Sequence, residues 1–208
     1  MQEELKIAWI EADKNPWGVR VLDVRAVTQG MIATSQDPQC AANAISYGND
    51  DGSAFLAQPP IVESTFSAGL LYRTAGPLGE GALFRPAVME HKWAIFHRQN
   101  KLLIVRGWLR RLFAVAEVEQ WGDMLAVGTV RGAFAQENEP EEYSVRFLDF
   151  LVRSHALGEI HPAPLFPGEE EDMEQAALAC FSAFGNMALF AATERPSQRI
   201  PEGTLKLC

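Results

Sequence analysis

Apolar positions in the middle of the chain recur with a period of two. Residues 65–73 alternate, with Phe66, Ala68, Leu70 and Tyr72 on one side, and predict a β-strand. From 92 to 134, strand-length apolar runs are separated by short polar turns, which predicts a four-stranded antiparallel β-meander. Gln99-Asn100 serves as the two-residue turn of its first hairpin, and Gly122-Asp123 as the turn of its second. The first turn sets Trp93 against Arg106, Ile95 against Ile104, Phe96 against Leu103 and His97 against Leu102. Ala94, Phe96, Leu103 and Val105 then share one face, and Trp93, Ile95, His97, Leu102, Ile104, Arg106 and Trp108 the other. Both faces are largely apolar, whereas a sheet wetted on one side alternates apolar with polar residues. Something must cover the second face: the chain's own helices, another chain or a ligand.

Outside this region the apolar spacing turns helical. Residues 3–13 are predicted as a short helix with Leu5 and Trp9 on one side, ended by Asn15-Pro16. Residues 19–27 are rich in β-branched side chains and predict a strand, with Asp23 and Arg25 as an ion pair on one face. Asp37-Pro38 matches an N-cap followed by proline in the first turn of a helix. Residues 141–157 predict a helix carrying Tyr143, Phe147, Phe150 and Leu151, stopped by Gly158. Pro162, Pro164 and Pro167 form a stiff connector over 162–168. A last helix is predicted over 169–192, with Gly185 weakening its middle, followed by a tail over 193–208. Strands in the middle and helices at the ends predict an α+β fold. The meander belongs to a larger curved sheet, with N-terminal helical segments and two C-terminal helices packing on it. A single domain is expected, its main body over 1–161 and the last helix folded back on it.

Composition adds bounds rather than identity. The chain has 208 residues, 48% of them hydrophobic and 22% charged, enough for one sizeable core. No apolar run approaches the ~20 residues of a membrane span. Cys40, Cys180 and Cys208 form no CxxC pair, Cys180 falls on an apolar stripe, and the setting expected is reducing and cytoplasmic. The net charge is −9. Its excess lies in two clusters, Glu137, Glu139, Glu141 and Glu142, then Glu169, Glu170, Glu171, Asp172 and Glu174. Both sit at expected helix starts, where negative charge suits the helix dipole.

Candidate chemistry is sparse. Residues 91–111 are basic and aromatic, but strand alternation sends the cations to both faces of an acidic protein, so nucleic acid is not the expected partner. Gly76, Gly79 and Gly81 lack the ending of a phosphate loop, and Glu80 among them would repel phosphate. His155 and His161 stand six apart, a spacing unsuited to a metal, and no metal or other cofactor is expected. No serine or cysteine has the setting of an activated nucleophile. Two functional readings follow. In the first, Trp93, Arg106 and Trp108 form a recognition face for a protein partner or a second copy, since tryptophan and arginine are enriched at binding hot spots. In the second, the 76–81 loop rims a pocket for a small anionic or aromatic ligand. Arg73, Arg85 and Arg106 would then contact the anion, and Glu80 or Glu90 would act as a base in hydrolytic chemistry.

Overall fold

The computed structural model of the chain describes residues 6–134 and 139–196. Leu5, Glu137, Cys208 and residues 197–208 of the expected tail lie outside the described residues. In chain order the elements are β1 (Ala8–Ile10), β2 (Val21–Asp23), α1 (Arg25–Thr28), α2 (Pro38–Ala44), β3 (Thr65–Arg73), β4 (Gly81–Phe84) and β5 (Trp93–Arg98). They continue with β6 (Lys101–Arg106), β7 (Arg111–Trp121), β8 (Met124–Gly132), α3 (Glu141–Leu151), β9 (Ala163–Pro164), α4 (Met173–Phe184) and β10 (Phe190–Ala192). The fold is α+β. A six-stranded antiparallel sheet has the order β3-β8-β7-β6-β5-β4, and a smaller four-stranded sheet has the order β1-β2-β10-β9.

The meander has the expected register. Trp93 pairs with Arg106, Ile95 with Ile104, Phe96 with Leu103 and His97 with Leu102. Gln99 and Asn100 both take positive φ, 50° and 57°, the twist that joins two right-handed strands through two residues. Four of the five pairings in the large sheet carry a bulge or irregularity, which bends it.

Both faces of the first hairpin are covered by the chain itself. Ala94, Phe96, Leu103 and Val105 pack under Tyr47 and Phe55, which come from the segment between α2 and β3. Gly52, at φ +89°, lets that segment lie on Phe96, where a Cβ would come within 2.5 Å of the Phe96 Cβ. Trp93, Ile95, Leu102 and Ile104 pack under Phe147, Phe150 and Leu151 of α3 and Ala177, Cys180 and Phe184 of α4. That layer is the main core.

Three elements depart from the sequence expectation. The helix over 3–13 is replaced by β1 and a single 3-10 turn at Ala12–Lys14, because Ala8–Ile10 pairs with Val21–Asp23. The strand over 19–27 ends at Asp23, whose carboxylate accepts from the Arg25 backbone N–H at 3.1 Å and starts α1. The Asp23–Arg25 ion pair forms across that turn. The helix over 169–192 begins as a 3-10 turn at Glu169–Glu171 and is α-helical only from Met173 to Phe184. Gly185 ends it at φ +65°, and a Cβ there would lie 1.6 Å from the Glu90 carbonyl oxygen. The rest of that segment becomes β10, which pairs in parallel with β9. The proline connector over 162–168 thus supplies a strand rather than a spacer.

Candidate functional site

Trp93 is only 1% exposed and Arg106 stands opposite it on β6. The Arg106 guanidinium lies 4.7 Å over the Trp93 ring and donates to the Ala183 and Ser182 carbonyls at 2.8 Å each. The Trp93 indole N–H donates to the same Ala183 oxygen at 2.8 Å. These carbonyls are in the last turn of α4, where a helix leaves its C=O groups unsatisfied and its dipole negative. Burial lowers the Arg106 pKa to about 10. The pair therefore clamps α4 onto the sheet.

Beside the clamp a cleft of about 520 Å³ opens between the sheet and the two C-terminal helices. Its walls are rings: Trp93 from β5, Phe113 from β7, Phe134, Phe147 from α3, Phe166 and Phe184. Phe134 and Phe147 stack at 4.7 Å, and Trp93 meets Phe147 edge-on at 5.6 Å. The polar side chains in this lining are Arg106, Tyr143, Glu169, Cys180 and Ser182. Tyr143 is 7% exposed, and its hydroxyl has no hydrogen-bond partner among the described residues. Burial, reinforced by the nearby Glu169 charge, raises the Tyr143 pKa and keeps it a phenol. Burial also raises the Glu169 pKa, opposed by the Phe166 N–H that donates to its Oε2 at 2.8 Å. The Cys180 thiol is raised by burial and is not a nucleophile.

The other residues singled out in the sequence bond elsewhere. Trp108 donates its indole N–H to the Met89 carbonyl at 2.7 Å, and Lys92 Nζ sits 4.1 Å over its ring. Arg73 pairs with Asp123 at 3.3 Å, and Arg85 donates to the Asp50 carbonyl. Glu80 accepts from the Gln99 N–H and pairs with Arg98, while Glu90 accepts from the Ala33 N–H at 2.8 Å. The 76–81 loop is tied to Gln120 and to His97, and none of its residues lines the cleft. The set of three arginines with a glutamate base is therefore not brought together. Two of the expected residues, Trp93 and Arg106, line the cleft. In the basic stretch, Arg98 and Arg110 face Asp51 and Asp50, and Lys92 is caged between Trp108 and Phe181. Burial lowers the Lys92 pKa to about 8.

The sequence reading missed Tyr143, Phe166 and Glu169 as site residues. A tyrosine on an otherwise apolar helix stripe was the available signal, since a buried phenol normally has a polar partner. A second cleft of about 590 Å³ lies on the opposite face, lined by residues 56–60 and 62–65 with Lys101 and Arg131. Its Lys101 stands opposite Glu117 in the β6–β7 register. No group of three or more His, Cys, Asp or Glu able to hold a metal ion occurs among the described residues. Among the same residues, no helix is long and apolar enough to cross a membrane. No family model, curated protein or solved structure matches the chain.

Proposed function

We propose that this protein binds a small, largely aromatic molecule in the cleft between its six-stranded sheet and α3 and α4. The observation that carries this reading is the convergence of aromatic rings on about 520 Å³ of space with a few polar groups among them. Binding clefts have this size and this mixture. The proposed setting is the cytoplasm, where the free Cys180 thiol beside the cleft stays reduced. The test is fluorine NMR with 5-fluoroindole as probe. Wild-type protein broadens or shifts its signal. Ala179→Trp, which fills the cleft from a half-buried position on α4, abolishes the effect while circular dichroism is unchanged. An effect that is absent from the wild type, or equal in both proteins, contradicts the proposal.

A second reading, recognition of a protein partner or another copy, is favoured by a different observation. Ile32 (78% exposed), Ile45 (62%) and Leu109 (49%) are exposed around Trp108. The segments that carry them are tied together by bonds from Ala33 to Glu90, from Trp108 to Met89 and from Asn43 to Trp108. In this reading the recognition face is the surface around Trp108, because Trp93 is under the helices. Leu109→Glu should then shift the assembly state in light scattering, or weaken capture of the partner from the source lysate. An unchanged result in both assays removes this reading.

A further inference from the structure

The polar groups of the cleft fall into two sets with opposite demands. Arg106 has five N–H donors and spends two on the Ser182 and Ala183 carbonyls. The remainder donate to no described group. Tyr143 brings a hydroxyl with no partner among the described residues. Glu169 has its Oε2 occupied by the Phe166 N–H, while its Oε1 accepts from no described group. A phenol and a carboxylate oxygen that both line the cleft, neither bonded to a described group, offer a ligand group a donor and an acceptor. A hydroxyl suits both, since it donates to a carboxylate and accepts from a phenol. The Phe134, Phe147 and Phe166 rings line the same cleft, and Tyr143 meets Phe166 edge-on at 5.0 Å.

Resting on the cleft as the binding site, we infer that its ligand is a hydroxylated aromatic acid, with the acid group at Arg106 and the hydroxyl between Tyr143 and Glu169. A simple aromatic hydrocarbon satisfies the walls and leaves both polar sets unpaired. A compact dianion places negative charge against Glu169.

Titration calorimetry with 5-hydroxyindole-3-acetate, indole-3-acetate and 5-hydroxyindole tests this. The complete probe should bind at least about tenfold more tightly than either partial one, the size of effect expected for a hydrogen bond to a charged group. Tyr143→Phe should weaken the two hydroxylated probes about tenfold and leave indole-3-acetate unchanged. Arg106→Lys should weaken the two acids and spare 5-hydroxyindole. Should a variant lose its fold by circular dichroism, the comparison of probes on the wild type decides. If all three bind alike and Ala179→Trp blocks them all, the inference is overturned and the cleft stands. If none binds the wild type, both are overturned.

Discussion

Arg106 serves two purposes at one position: it closes the end of α4 and supplies the only cation lining the cleft among the described residues. Arg106→Ala removes two charge-assisted bonds while Trp93 still serves the Ala183 oxygen, so the expected cost is about 2–4 kcal/mol in urea denaturation. A cost below about 0.5 kcal/mol, the range of ordinary surface substitutions, would contradict the clamp. Tyr143 should behave in the opposite way. Its hydroxyl has no partner among the described residues, so Tyr143→Phe should leave stability unchanged or raise it by about 1 kcal/mol. A loss of that size would mean the phenol has a partner. His155 gives a pH prediction. Its Nδ1 is 2.7 Å from Ser154 Oγ, its Nε2 has no partner among the described residues, and burial lowers its pKa to about 3. Burial likewise lowers His161 to about 4, against the pull of Asp149. The folded state keeps both neutral, whereas the unfolded chain takes up their protons below about 6.5. Their stabilisation is therefore complete above about 6.5 and is lost as pH falls toward the folded values, at up to about 1.4 kcal/mol per pH unit for each group. Urea midpoints of His155→Phe between pH 6.5 and 4.5 should show a shallower slope than the wild type, and equal slopes would refute this role. Side-chain partners of this kind were barely legible in the sequence. Trp93 and Arg106 could be paired from hairpin register alone, but that Arg106 reaches Ser182 and Ala183 depends on where a distant helix docks.

At the scale of elements, period-two segments were legible and short apolar runs were not. The strand over 65–73 and the β5–β6 hairpin follow directly from alternation and from one turn. β1 and β10 have three residues each, too few for periodicity to separate strand from helix, and their pairing with distant segments decided their state. Gly185 is the sharper case. As a helix weak point it would tolerate alanine, but as a terminator at positive φ against the Glu90 carbonyl it cannot. Gly185→Ala should cost at least about 2–3 kcal/mol, the range for strained backbone, measured by thermal or urea unfolding. A gain in stability would instead show that helix continues through this position. The Gln99-Asn100 turn should respond the other way. Replacing it with Asn-Gly, the pair best suited to two positive φ values, should stabilise the hairpin by about 1 kcal/mol.

For the whole molecule, a hairpin apolar on both faces implied two covers, and the sequence could not say whether these were the chain's own. α3 and α4 cover one face, and the segment bearing Tyr47 and Phe55 covers the other. Beside Trp93 and Arg106 the cleft is walled by rings of that first cover and of the sheet, several of which meet edge-on or tilted. Its position was legible only through those two residues, while its far wall came from Tyr143, Phe147, Phe166 and Phe184, distant in the chain and beyond the reach of local pattern. The central claim is that this space holds a ligand. Native mass spectrometry of the protein isolated gently from its source cells, run beside Ala179→Trp, tests that most directly. The account predicts a small organic mass retained by the wild type and missing from the variant. A wild type that carries no added mass, or a mass that Ala179→Trp retains equally, would contradict it.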